Sequence, residues 1–268
     1  MIKTIKKEGL MIMKGILFSI ALIGCLSLSA QTKAIDSTVK KVDTTVKSVD
    51  TVKKATEPVR VYKSNFDNSK EQLVEITTNF GVMVAKLYNA TPQHRDNFID
   101  KVKSGFYDSL LFHRVIREFM IQGGDPSSKH APDSVKLGMG SAPGPMIPAE
   151  FNPMLIHKRG ALAMARDNNP TKQSSNSQFY IVQGKRIDSA TINRTAKEIQ
   201  RTNPKFHYTK AQKEIYERIG GTPQLDQNYT VFGEVISGLD VIDRITSIPT
   251  KPGDRPIMNI TMKIRLLN

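Results

Sequence analysis

One cysteine, Cys25, serves the whole chain of 268 residues. If a leader ending at residue 30 is removed, none remains, which excludes disulfides, thiol nucleophiles and thiolate metal sites. Long apolar runs are also missing. The only extended one, Gly15 to Ala30, has 16 residues, short of the roughly 20 that a bilayer-spanning helix needs. The histidines are few: His94, His113, His130, His157 and His207 show no paired ligand spacing, so neither metal nor cofactor is assigned. Acidic residues number 25 against 39 basic ones, a formal charge of +14. Residues 1–30 hold Lys3, Lys6, Lys7 and Lys14 against Glu8, so +11 of that charge belongs to the remainder. Lysine and arginine are spread along the chain without an aromatic–basic motif, so no nucleic-acid partner is expected. A basic surface facing an anionic envelope fits better. With 39% hydrophobic and 24% charged residues, 17 Gly and 14 Pro, collagen, coiled-coil and wholly disordered chains are excluded.

The N-terminal lysines followed by ILFSIALIGCLSLSA form the charged and apolar regions of a secretory signal at 1–30, with small residues before Gln31. The expected location is outside the cytoplasm, in the periplasm or cell envelope. A competing reading takes Leu22-Ile23-Gly24-Cys25, which resembles the lipobox of bacterial lipoproteins, and anchors the protein by a lipid on Cys25. Residues 31–70 are polar and repetitive, STVKKVD being followed by TTVKSVD. Two short copies with only valine at the apolar positions cannot build a helix pair. They read as a flexible tether whose lysines are weakly drawn to anionic surfaces.

The folded region is expected over 71–268. Leu73 to Thr78 and Val82 to Leu87 flank Asn79-Phe80-Gly81 as a hairpin. Thr91-Pro92 opens a helix of about 13 residues with Phe98, Ile99 and Val102 on one face, closed at Gly105. Further strands are expected near 110–116, 119–122, 161–165, 178–182, 230–236 and 258–267, with a second helix at 239–247. About eight strands and two helices suggest a mainly β fold, a closed eight-stranded antiparallel barrel capped by two helices. Residues 187–222 interrupt this rhythm as a helical insertion. Thr195 to Arg201 looks helical, and Thr209 caps a helix with Ala211, Ile215 and Ile219 along one stripe. That stripe packs on the barrel, or else the basic outer face receives a partner.

Phe112 to Asp125 reads FHRVIREFMIQGGD, and it resembles the signature of cyclophilins, the peptidyl-prolyl cis-trans isomerases. IPAEF at 147–151, GALAMA at 160–165, NSQFYIV at 176–182 and LDQNYTVFGEVISGLDVIDRI at 225–245 follow in the family's order. The likeness covers 71–268 apart from the insertion. It implies an isomerase acting on X-Pro bonds of unfolded or folding exported proteins, as a monomer and without a covalent intermediate. The competing function is a binding module or holdase chaperone on the same scaffold, with the insertion as its contact surface.

Such a reaction needs no nucleophile, since rotation is blocked only by amide resonance. A site that binds the twisted amide better than the planar forms suffices. By resemblance, Arg114 donates to the prolyl nitrogen as its lone pair localises, and Gln122 bonds the substrate backbone. Phe119, Met120, Tyr180 and Leu225 line the proline slot, with Tyr229 where many relatives carry His. Ala165, Arg166 and Gln178 take the residues before proline. Strand alternation separately puts Gln178 and Tyr180 on one face and Phe179 on the other. His113 is read as a structural hydrogen-bonding residue. Tryptophan is absent, and Gln224 stands where many cyclophilins carry an indole, so cyclosporin-type ligands are expected to bind weakly. Arg166, in place of a shorter amide, points to acidic or polar residues before proline.

Overall fold

The structure is a computed structural model that describes residues 71–267; the leader and tether readings lie outside the described residues. It begins with a tight hairpin, β1 (Leu73–Thr78) and β2 (Gly81–Leu87). The turn closes because Thr78 Oγ1 accepts from Phe80 N at 3.0 Å and Gly81 takes φ +132°. It is this φ that calls for glycine, since the nearest neighbour of a Cβ there, the Arg244 guanidinium at 2.7 Å, is the end of a flexible side chain.

Helix α1 (Pro92–Lys103) follows, burying His94, Phe98 and Val102. Thr91 occupies the N-cap position, but its side chain makes no cap bond. The carboxylate of Glu150 replaces it, accepting from Gln93 N at 3.1 Å and His94 N at 3.0 Å. This carboxylate also complements the positive end of the helix. Five strands come next in the main sheet, β3 (Phe112–Ile116), β4 (Met120–Gly123), β5 (Ala161–Met164), β6 (Phe179–Val182) and β7 (Val231–Ser237). Two short strands, β8 (Thr250–Lys251) and β9 (Arg255–Pro256), form a separate hairpin, and β10 (Met262–Leu267) ends the sheet.

The eight long strands run in the order β10-β1-β2-β7-β5-β6-β4-β3, every neighbouring pair antiparallel. The expected closed barrel is corrected here to a half-barrel, because β3 and β10 do not pair as strands. The residues just before them touch at one bridge, Leu111 with Thr261, flanked by Phe112 N to Ile260 O at 2.8 Å and Met262 N to Leu110 O at 2.9 Å. On one side of that bridge the chain turns away at Gly105 and Ser109, both with positive φ. On the other, Val115 N bonds Asp254 O of the short hairpin at 2.8 Å, so the free edge of β3 is already taken.

The sheet curls around a core that holds Phe98, Tyr107, Phe112, Phe179 and Phe232, with α4 (Leu239–Thr246) contributing Val241, Ile242 and Ile245. Phe98 sits among three rings, 5.0 Å from Tyr107, 5.4 Å from Phe179 and 5.2 Å from Phe232. A second apolar cluster lies around Met120, Ala163, Tyr180 and Val231.

Between β6 and β7 stand α2 (Ser189–Gln200) and α3 (Lys210–Arg218). Helix α2 starts six residues earlier than its periodicity suggests, because Asp188 caps it by accepting from Thr191 N at 2.8 Å. In α3, Thr209 and Gln212 form a reciprocal capping box. Of the expected stripe of Ala211, Ile215 and Ile219, Ile215 packs against the insertion's core and Ile219 is half-buried, but Ala211 is exposed and the buried positions are Gln212 and Tyr216. Gln212 is drawn in by Pro153 O, to which its amide donates at 2.8 Å. The pair encloses its own small core of Ile156, Ile192, Ile199, Phe206, Tyr208 and Tyr216.

Replacing Phe98 with Ala removes the ring on which three others pack. The expected loss is about 3–5 kcal/mol, measured by urea unfolding, and a loss below about 1 kcal/mol would show that the cluster is not a keystone of the core.

Candidate active site

The site begins with a bulge. Phe112 pairs with Gly123 and Arg114 with Gln122, leaving His113 as an extra residue on β3. Phe112 and Val115, three residues apart, can therefore both enter the core, while Arg114 is brought opposite Gln122. Pairing then continues the row: Gln122 faces Tyr180 on β6, and Tyr180 faces Ala163 on β5. Directly opposed residues share a face. Arg114, Gln122 and Tyr180 thus stand side by side on three strands, and Phe179 joins the opposite core.

Nine of the ten sequence-predicted residues, Arg114, Phe119, Met120, Gln122, Ala165, Arg166, Tyr180, Leu225 and Tyr229, line one cleft of about 170 Å3. Gln178 lines an adjoining hollow of about 310 Å3, which shares Gln122, Ala165 and Arg166 and is bordered by Met139 and Met146. Met120 and Tyr180 are buried as walls; Leu225 follows Pro223 in a short 3-10 turn. Tyr229 packs edge-on against Tyr180 at 5.9 Å, and the Arg166 guanidinium lies 4.8 Å over the Tyr229 ring. Arg166 is fixed there by Asn228 O at 2.9 Å and Asp167 O at 2.8 Å.

A string of hydrogen bonds orders the polar side. Arg114 donates through Nε to Asp254 at 3.1 Å and through Nη1 to Gln122 Oε1 at 3.4 Å. Gln122 donates to Gln178 Oε1 at 3.0 Å, and Gln178 to the carbonyls of Gly138 at 3.1 Å and Gly140 at 2.6 Å. Side chains of Arg114 and Asp254 are 41% and 42% exposed, so water screens their attraction and its main effect is to aim the guanidinium. Asp254 was absent from the sequence-based set. Its signal was the Pro252-Gly253-Asp254 turn, which supplies the left-handed φ of +62° that Asp254 adopts.

His113 is corrected. It is buried, and among the described residues neither ring nitrogen has a hydrogen-bond partner. The bulge turns its ring towards Gly138, whose Cβ, if present, would lie 3.4 Å from Nε2. Burial pushes this imidazole down to about 4, while the charge of Asp125 pulls the other way. His94 is lowered too, mainly by burial, against the opposing pull of Glu150 at 2.6 Å.

Residues 73–265 match the family model described as "Cyclophilin type peptidyl-prolyl cis-trans isomerase/CLD". A protein of Staphylococcus aureus (strain USA300), named "Putative peptidyl-prolyl cis-trans isomerase", is 35% identical over 193 residues, 71% of this chain and 88% of its own. One of the same name from Staphylococcus saprophyticus is 34% identical over 198 residues, covering 73% and 91%. Among solved structures, a cyclophilin type peptidyl-prolyl cis-trans isomerase of Cryptosporidium parvum is similar at a TM-score of 0.55 and 25% identity, over 74% of this chain and 99% of that one. The same protein crystallised in the presence of the dipeptide Ala-Pro gives 0.54 and 26%, with the same coverage.

Because His113 is neutral when folded and titrates near 6.5 when unfolded, the unfolded state binds more protons between about 6.5 and 4. Stability contributed by the neutral ring is complete above that window and lost as pH falls through it, by up to about 3 kcal/mol. Thermal unfolding between pH 7 and 4.5 is expected to fall more steeply for the wild type than for His113→Asn. Parallel profiles would contradict this.

Proposed function

As the chain belongs to the family of cyclophilin-type peptidyl-prolyl cis-trans isomerases, and is an isomerase of that class, we propose that the Arg114 cleft is where the X-Pro bond turns. Rotation must cross about 18–20 kcal/mol because resonance is lost in the twisted amide. In that state the prolyl nitrogen becomes pyramidal and gains a lone pair. The guanidinium of Arg114 donates to it, which stabilises the transition state more than either planar form. Gln122 holds the substrate backbone beside the rotating carbonyl, and Phe119, Met120, Tyr180 and Leu225 grip the ring. Ala165, Arg166 and Gln178 receive the residues that precede proline. No proton is transferred and no covalent bond is made.

One observation carries this reading: a charged donor, held by Asp254, shares a cleft of about 170 Å3 with the apolar side chains of Phe119, Met120 and Leu225. The polar string ending at Gly138 and Gly140 supports it, because a donor already aimed needs no reorganisation as charge develops. Proline-containing peptides are the substrates. We place the clients among exported proteins, on the strength of the leader at 1–30, with a tether at 31–70 and either a lipid on Cys25 or the basic surface keeping the enzyme near the envelope.

Arg114→Ala is expected to lower kcat/KM about a hundredfold in a protease-coupled or NMR exchange assay on a short X-Pro peptide, on the scale of one electrostatic stabiliser. Near-normal turnover by the folded variant would remove Arg114 from the mechanism. The fixed charge of Arg166 is expected to favour Glu over Lys before proline by about two- to fivefold. Arg166→Asn should abolish that ratio, and a ratio unchanged by the substitution would assign the preference elsewhere.

A further inference from the structure

Behind the apolar wall of the cleft runs a buried polar chain that isomerisation itself does not use. The Tyr180 hydroxyl points away from the cleft to His157 Nε2 at 2.9 Å, and the two rings lie nearly parallel, 13° apart. His157 Nδ1 meets Asp226 Oδ1 at 2.7 Å, and the same oxygen accepts from His157 N at 2.8 Å. The other carboxylate oxygen accepts from Tyr208 at 2.6 Å and Tyr216 at 2.5 Å, both from the insertion. Asp226 thus faces four donors, and His157, Asp226 and Tyr216 are all at most 1% exposed. In the tautomer that carries its proton on Nδ1, facing the carboxylate, Nε2 accepts from the Tyr180 hydroxyl.

The chain ends on both halves of the slot. Tyr180 is one wall, and Asp226 directly follows Leu225, the other. Asp226 N closes the 3-10 turn by bonding Pro223 O at 3.0 Å, and the Tyr208 hydroxyl, whose one proton is directed at Asp226, lies 3.3 Å from the same carbonyl. Insertion and pocket therefore meet at a single carboxylate. An unanchored Asp226 would leave buried donors unsatisfied on either side, so the arrangement holds as a whole or not at all.

We propose that His157 and Asp226 are positioning residues of the isomerase, through which Tyr208 and Tyr216 of the insertion set the width and rigidity of the proline slot. This rests on the reading above that the slot holds the prolyl ring. It gives the insertion a task within catalysis rather than at a partner surface. A slot fixed from behind discriminates ring size, and one released from behind tolerates a larger ring.

The test uses the full chain and two peptides, one with proline and one with the six-membered pipecolic acid in its place. Tyr208→Phe with Tyr216→Phe is expected to leave kcat for the proline peptide near wild type and raise its KM. Discrimination in kcat/KM between the peptides should fall about three- to tenfold, the scale of one or two lost hydrogen bonds. Tyr180→Phe should lower discrimination similarly, and combining all three changes should add little, because the residues act in series. Equal losses on both peptides, or an unchanged ratio in the insertion variant while Tyr180→Phe alters it, would overturn the proposal and leave the pocket reading intact. Unaltered KM and ratio in Tyr180→Phe and in Leu225→Ala would instead overturn the pocket reading. Should the insertion variant not fold, 15N spectra of the His157 ring in the wild type decide. Its resonances are expected to shift on saturation with the proline peptide, although the ring is shielded from ligand, and their invariance would overturn the proposal.

Discussion

Everything in the cleft depends on the pairing of Gln122 with both of its neighbours, Arg114 on one side and Tyr180 on the other. Because a strand presents alternate residues to opposite faces, this register sends Phe179 into the core and Tyr180 to the wall of the cleft. A one-residue slip would exchange them, putting a hydroxyl among the phenyl rings and taking from Phe98 one of the three rings it packs on. Core stability and site geometry are thus one constraint. The bulge at His113 is the adjustment that lets β3 obey it, by giving the core Phe112 and Val115 without withdrawing Arg114.

The string from Asp254 to Gly140 has the same logic in electrostatic form. Each side chain of the string is held by a hydrogen bond to its neighbour, so its direction is set by the fold. Isomerisation as proposed asks only for a fixed field across a rotating bond, which an array of amides with one guanidinium can supply without a group that titrates near neutrality. The unpartnered ring of His113 sits behind this array, neutral because it is buried.

Local patterns in the sequence were readable where local forces decide. The hairpin at Asn79-Phe80-Gly81, the stop at Gly105 and the alternation through Gln178, Phe179 and Tyr180 all appear as read. The family motifs brought the expected residues to neighbouring positions although they are scattered over 116 positions from Arg114 to Tyr229. What escaped was set by partners distant in the chain. Glu150 displaces Thr91 as the cap of α1 from 56 residues away, and Pro153 O pulls Gln212 inward past Ala211. The barrel reading failed at its seam because strand number does not reveal which edge a later hairpin will occupy. Asp254 escaped because a charged residue in a turn is usually just solvated.

The root of the insertion has a consequence of its own. Gly221 bridges Lys158 and Lys185 at once, and a Cβ on Gly184 would come within 2.5 Å of the Gly221 backbone. The chain therefore leaves the sheet and returns to it at almost the same point. Such a junction is only weakly sensitive to the length of what it carries, since the ends are held together by the sheet and not by the inserted segment. It is a port at which the inserted segment can change in length without re-registering a single strand. The buried Asp226 sets the one condition, that whatever is plugged in must bring hydroxyl donors for it.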